Sequence, residues 1–483
     1  SNTQHCNHTG NMGILDRIEK IHEWFEANNH GHKKIEIPDE EGFSFKKLLA
    51  FVGPGLLVSI AYVDPGNFTT DINAGAQFNY RLIWVLIMAT AIGLILQILT
   101  TRLGLVTGKH LAQVCRDEYG DRTPLTIILW LVTESAIIAS DIPEVVGTAF
   151  ALNMLFGIPL WAGVLITGVD TMLFLGLQHF GVRYLEIFIG ALVGIISCCF
   201  VVELGLSDIN WVNGHCPSDW CDEFTSQGES CPTNYCGTFF GGFVPRLTTE
   251  NLYIAVSLLG AVVMPHNLYL HSALVLSRGV NRRSKKAIQE ANIYNWIECA
   301  GALAISCFIN ISIVAVSAAI FYPDDSNDYS TDNQEPNLDD TSKLLGNTLG
   351  SAAKALFGVA LLASGQSSTL TGTYAGQFVM EGFVELKMPM WKRNLITRSI
   401  AILPSLIVAL LAGEKGSSAL IILSSAILSF QLPFALIPLI KFTSSSVKMG
   451  DFANSKVASI FLGSIAATVI AANVYLIYAT LFA

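Results

Sequence analysis

The sequence predicts an all-α integral membrane protein of about eleven transmembrane helices: two inverted halves of five plus one added helix, with helices 1 and 6 broken inside the membrane. Three observations predict it. The 483-residue chain is 52% hydrophobic and 14% charged, whereas soluble domains run at about 25% charged. Apolar stretches near the ~20 residues needed to span hydrocarbon follow one another with short gaps. Two of these stretches, 200 residues apart, share one pattern: Ala61-Tyr62-Val63-Asp64-Pro65-Gly66-Asn67 and Ala261-Val262-Val263-Met264-Pro265-His266-Asn267, both Ala-x-Val-x-Pro-x-Asn.

Residues 1–45 are polar and mixed in charge, weakly amphipathic around 12–27, and read as a cytosolic segment with no cleavable signal peptide. The start at Ser1, without Met, is expected of a processed, truncated or tagged chain. Residues 46–483 read as one transmembrane domain. Its spans are expected at about 47–77, 82–106, 124–152, 158–177, 184–205, 251–277, 290–321, 344–374, 395–412, 416–440 and 456–481. The first breaks at Asp64-Pro65-Gly66 and the sixth at Met264-Pro265, because proline removes a backbone donor and clashes with the preceding turn. Non-helical backbone survives in a bilayer only where protein buries it or a cavity solvates it. Matching breaks in two halves point to a transporter site near the midplane. Five spans per half is an odd number, so the second half is inverted; span 11 is an addition.

Charge sets the expected orientation. Arg102, Lys109, Arg116, Arg122, Arg183, the cluster from Arg278 to Lys286, Lys387, Lys392, Arg393, Lys441 and Lys448 all fall on connections of one side. The opposite side receives residues 206–250, with Arg246 as their only Lys or Arg, and residues 322–342, with seven acids and no base. The positive-inside rule puts the N-terminus in the cytosol and the C-terminus on the outer or luminal side. Cys216, Cys221, Cys231 and Cys236 share the outer loop, which agrees: two disulfides are expected there, with three pairings open. Zinc is the competing reading; it suits the spacing less, since none is Cys-x-x-Cys. The net charge of −10 and its layout do not suggest nucleic acid, and no GxxxxGK[ST] phosphate loop argues for ATP-driven pumping.

Asp64 is the first candidate ligand. A carboxylate in a span costs roughly 2.5–3.5 kcal/mol on insertion scales, so it marks function by default. Asn67 adds an amide oxygen, and the unwound backbone frees carbonyls, those of Ala61 and Ala261 above all. Met264 takes the repeat position of Asp64. A thioether is a poor ligand for hard Ca²⁺ and Mg²⁺ and a tolerable one for Mn²⁺, Fe²⁺, Co²⁺ or Cd²⁺. Metal and proton would compete for the single carboxylate. Span 3 carries Glu134, Asp141 and Glu144 at seven- and three-residue spacing, hence near one face. They read either as salt-bridged to Arg398 in span 9 or as a proton wire from Asp64, and the two are compatible. His266 and His271 follow the second break and titrate in the right range to relay protons. Residues 365–377 are small and polar at the end of a span, which permits close helix packing.

These motifs resemble the Nramp (natural resistance-associated macrophage protein) family. Asp64-Pro65-Gly66-Asn67, Met264-Pro265-His266-Asn267, the Gly365–Gln377 stretch, the run from Glu134 through Asp141 and Glu144 to Gly147, and Arg102-Leu103-Gly104 with Thr107-Gly108 carry the resemblance, over roughly residues 45–481. The segments 140–152 and 398–410 are most similar to eukaryotic, plant-like members. The resemblance implies a leucine-transporter-like fold and proton-coupled import of Mn²⁺ or Fe²⁺ into the cytosol. It implies metal binding by Asp64, Asn67, Met264 and the carbonyls of Ala61 and Ala261, and a proton route along Asp64, His266, Asp141, Glu144 and Arg398 with Glu134 nearby. Some relatives that carry Mg²⁺ or Al³⁺ lack the methionine; its presence here implies the ordinary transition-metal specificity. Ser425 stands where many members have Gln or Asn, so a ligand from span 10 is left open. No catalytic residue and no resident cofactor are expected; the partners are the metal substrate, protons and the bilayer of a plasma, endosomal or vacuolar membrane. The alternatives are a non-transporting membrane sensor of the same fold, or a cation-coupled amino-acid symporter.

Overall fold

The computed structural model describes residues 44–177, 182–207, 209, 239–322, 338, 351–386 and 388–482. Among them every regular element is helical. In chain order these are α1 (Phe45–Phe51), α2 (Pro54–Ser59), α3 (Pro65–Phe78), α4 (Ile83–Thr107), α5 (Leu111–Tyr119), α6 (Pro124–Phe156), α7 (Leu160–Leu177), α8 (Val182–Leu206), α9 (Leu252–Val262), α10 (Pro265–Leu274), α11 (Lys285–Phe321), α12 (Ser351–Val384), α13 (Met390–Leu411), α14 (Gly413–Thr443), α15 (Ser446–Met449) and α16 (Lys456–Phe482). Among the described residues seven helical stretches are long and apolar enough to cross a membrane, the first joining α3 to α4. The α12 helix, dense in Ser, Thr and Gly, is not one of them. The four cysteines of the predicted outer loop lie outside the described residues.

Both expected breaks are present. α3 starts at Pro65 and α10 at Pro265, each with proline in the first turn, where its missing N–H is no loss. The first span bends once more than the sequence analysis expects. Between α1 and α2, Gly53 takes φ 151° and ψ −61° directly before Pro54. That conformation is nearly confined to glycine, and the residue before a proline is barred from the helical region. Gly53→Ala is expected to destabilise the protein by about 1–3 kcal/mol, read as a lowered melting temperature of the purified protein.

The polar 365–377 stretch also differs from expectation: it lies inside α12, not at a span's end. Its hydroxyls turn back onto their own helix, Ser368 to Ser364 O at 3.0 Å, Thr369 to Gly365 O at 2.8 Å and Thr373 to Thr369 O at 2.9 Å. Polar side chains satisfied this way let the helix continue.

Two apolar clusters flank the breaks. The larger gathers Leu86, Leu96, Leu103, Leu258, Leu270, Leu436 and their neighbours; the other centres on Phe68, Phe150, Phe200 and Phe357. Helices α9 and α14 touch backbone to backbone at Gly260, where a Cβ would stand 2.0 Å from Ser425 O. The periphery is apolar and exposed, as at Leu403, Leu411 and Ile460, which suits lipid rather than water.

The connections sort into two ends. At one, Gly242 lies against Tyr80 and the rings of Phe239, Phe240 and Phe243 gather. At the other, Glu118 meets Lys441 at 2.9 Å and Lys448 at 3.0 Å, Arg116 meets Glu385 at 2.7 Å, and Lys285 meets Asp451. The hydrogen-bonded ammonium groups hold the Glu118 carboxyl below its usual range. Arg116, Lys285, Lys441 and Lys448, all assigned to one side by sequence, thus share one end.

Candidate metal centre

The first break frees backbone carbonyls that the bilayer cannot satisfy, and neighbouring helices take three of them. Ser306 donates to Ser59 O at 2.9 Å, Asn310 Nδ2 to Tyr62 O at 2.9 Å and Ser364 to Val63 O at 2.5 Å. Ala61 O is left for a different partner. The α3 helix starts at Asp64, whose Oδ1 caps it by accepting Asn67 N–H at 2.8 Å.

The side chain of Asn67 then joins the two breaks. Its Nδ2 lies 2.7 Å from Asp64 Oδ1, 3.3 Å from Ala61 O and 3.2 Å from Ala261 O. One electropositive group therefore sits among a carboxylate and two carbonyls contributed by both broken helices. Asn67 Oδ1 and Asp64 Oδ2 are buried without a hydrogen-bond partner. The three acceptors converge on one point, and a turn of the amide exchanges its nitrogen and oxygen, so Asn67 can offer an oxygen beside them. Oxygens gathered in this way suit a divalent cation as part of a larger shell of ligands. Among the described residues no three His, Cys, Asp or Glu side chains group as a metal site; the breaks offer one carboxylate with neutral ligands.

Met264 ends the second break with extended backbone, φ −76° and ψ 126°, and its side chain packs with Ala61, Ala136, Ala139 and Leu428. Met264 and Ala61 thereby share one small apolar cluster. A Cβ on Gly66 would lie 3.2 Å from both Asp64 oxygens and 3.3 Å from Ser425 Oγ, so Ser425 faces the same space while donating to Ile421 O at 3.1 Å. Asp64 and Met264 are 1% and 2% exposed.

The acids of α6 form a ladder against α13. Arg398 Nη1 lies 3.0 Å from Glu144 and 3.6 Å from Asp141, and Arg398 Nη2 donates to Thr369 at 2.9 Å. Glu134 pairs instead with Arg393 at 2.7 Å, a partner the sequence analysis did not assign. The spacing carried a signal: two acids seven apart on one helix face call for a second cation, and Arg393 lies five residues before Arg398. His266 is 1% exposed with Nδ1 unpartnered, and no hydrogen bond ties it to the ladder. His271 accepts or donates with Gln97 at 2.7 Å, and Gln97 reaches Tyr62 OH at 3.1 Å. Asp71, two turns beyond Asp64 and not among the candidates read from sequence, is fully buried with both oxygens unpartnered.

Comparison with known proteins meets this geometry. The family model described as natural resistance-associated macrophage protein-like matches residues 55–214 and 235–479. The chain belongs to the Nramp family. The metal transporter Nramp3 of Oryza sativa subsp. japonica is 51% identical across 92% of this chain and 76% of its own length. The metal transporter Nramp6 of Arabidopsis thaliana is 48% identical across 92% and 80%. A crystal structure of the Eremococcus coleocola manganese transporter superposes with a TM-score of 0.77 at 31% identity, covering 91% of this chain and 88% of that one. The nucleobase-cation-symport-1 transporter Mhp1 matches at TM-score 0.55 and 14% identity over 89% and 92%, which shows a shared fold. As an Nramp chain, the molecule has the leucine-transporter-like architecture that the resemblance implies.

Proposed function

We propose that this Nramp chain is a secondary transporter that carries divalent transition-metal ions, Mn²⁺ or Fe²⁺ with room for Cd²⁺ and Co²⁺, into the cytosol in company with protons. The observation that supports it most is the placement of Asn67 Nδ2 among Asp64, Ala61 O and Ala261 O, where both broken helices meet. An entering ion displaces that amide from among the three oxygens, and the displaced side chain offers its Oδ1 as a further ligand. Met264 adds a soft donor that favours transition metals over Ca²⁺ and Mg²⁺. The Asp64 carboxylate must be free of a proton to bind the ion, and the ladder of Glu144, Asp141 and Glu134 along α6 gives displaced protons a buried polar route. Alternating access around the fixed site, with the N-terminus cytosolic and the C-terminus outside, completes the reading.

Uptake of Mn²⁺, Fe²⁺, Ca²⁺ and Mg²⁺ into proteoliposomes, with an internal pH dye, tests it. Mn²⁺ and Fe²⁺ entry with acidification is expected. Entry without acidification would sink proton coupling, and no metal entry would sink transport; amino-acid flux in its place would favour a symporter of the same fold.

A further inference from the structure

One buried carboxyl belongs neither to the metal centre nor to the α6 ladder. Asp71 is fully buried, and neither of its oxygens has a hydrogen-bond partner among the described residues. The donors nearest in sequence are engaged elsewhere: Thr69 donates to Pro65 O at 3.0 Å, Thr70 to Gly66 O at 2.9 Å and Asn73 Nδ2 to Thr69 O at 2.8 Å. Carboxylate charge in such a setting is costly unless a cation accompanies it.

Two features place this carboxyl. Asp64, Asn67, Asp71 and Gly75 follow one another at spacings of three, four and four residues, so they form one stripe of α3. The stripe leads from the metal centre toward the end where Gly242 lies against Tyr80. At Gly75 it packs on α11, and the two helices run side by side in the same direction. Asn310 Nδ2 donates to Tyr62 O at 2.9 Å, Ser317 Oγ to Ile72 O at 2.7 Å, and a Cβ on Gly75 would stand 2.4 Å from Val314 O. One turn back from Gly75 is Asp71, and one turn back from Val314 is Asn310. This register sets Asp71 beside Asn310, whose Nδ2 is held by Tyr62 O and whose Oδ1 is buried without a partner. Three unclaimed oxygens thus share one level between α3 and α11, with Asn67 Oδ1 one turn inward.

We propose that Asp71 and Asn310 form a second cation stop, seven residues and about 10 Å along α3 from Asp64, where an incoming divalent ion waits before it moves inward to the metal centre. The inference rests on the transport reading for its direction. The pair offers oxygen and no sulfur, so it suits Mn²⁺ and Ca²⁺ alike, and the choice between them is made at Met264. The centre has more ligands and holds the resident ion. One carboxylate at each position leaves a divalent ion part of its charge, and two ions that close in a dry interior repel, so a single ion occupies the stops in turn.

Binding to purified protein tests this without transport. Bound Mn²⁺ is counted from the loss of the free-ion electron paramagnetic resonance signal. With the centre disabled by Asp64→Asn, one Mn²⁺ per chain is expected at the stop, and Ca²⁺ is expected to displace it at concentrations within about ten-fold of those of Mn²⁺. D64N/D71N is expected to bind none. D64N/D71N/N310D, which returns a carboxylate to the same level from α11, is expected to bind one again, and that return shows that the loss was not unfolding. No bound Mn²⁺ in D64N would overturn the stop; so would an ion retained in D64N/D71N, or a triple variant that stays empty. Mn²⁺ uptake by the unaltered protein in liposomes reports separately: its absence contradicts transport and leaves the stop standing.

Discussion

Replacing Asp64 by Asn is expected to lower metal uptake by more than about 100-fold with the fold intact. Asp64 has two jobs in the structure. It caps α3 through Asn67 N–H, and it is the only charged group among the oxygens that join the two breaks. Asparagine caps a helix about as well as aspartate, so the exchange keeps the first job and removes the second. Groups that merely orient metal ligands already cost 10–100-fold when removed, roughly speaking, and the sole anionic ligand is expected to cost more. Uptake into liposomes, paired with a melting curve, separates the two jobs. Full uptake by the Asn variant would show that the carboxylate serves only as a cap. Lost uptake with a collapsed melting curve would trace the effect to folding.

The second large effect concerns choice of ion. Met264→Ala is expected to narrow the preference for Mn²⁺ over Ca²⁺ by about ten-fold, which is about 1.4 kcal/mol. The substitution leaves the carboxylate and carbonyl oxygens, which suit hard cations, and deletes the polarisable donor that suits transition metals. Competition of Ca²⁺ against Mn²⁺ uptake measures it. A uniform loss for every ion would assign Met264 to packing with Ala61, Ala136, Ala139 and Leu428 and remove its part in selectivity.

Much of this site was legible because proline acts locally. Pro65 and Pro265 dictate where helices stop whatever surrounds them, and the residues beside them, Asp64, Asn67 and Met264, follow from position alone. The allocation of freed carbonyls was not legible. Ser306, Asn310 and Ser364 lie more than 200 residues from the break they satisfy, and nothing in their own neighbourhoods marks them. Arg393 was half visible, since the spacing of Glu134 and Asp141 asks for two cations while only Arg398 was assigned. The Gly53 corner was readable in principle from Gly53-Pro54-Gly55, but apolar neighbours on both sides made one continuous span the simpler reading. The polar run in α12 was misplaced because hydroxyl-rich sequence looks like a span's end until its bonds back onto the helix are seen.

The central claim is that one ion sits where the two unwound segments converge. Anomalous scattering from crystals grown with Mn²⁺ tests it most directly. The account predicts a single strong manganese peak in contact with the carboxylate of Asp64, the side-chain oxygen of Asn67, the carbonyls of Ala61 and Ala261 and the sulfur of Met264. A peak elsewhere in the helical bundle, or none there at saturating Mn²⁺, would contradict it.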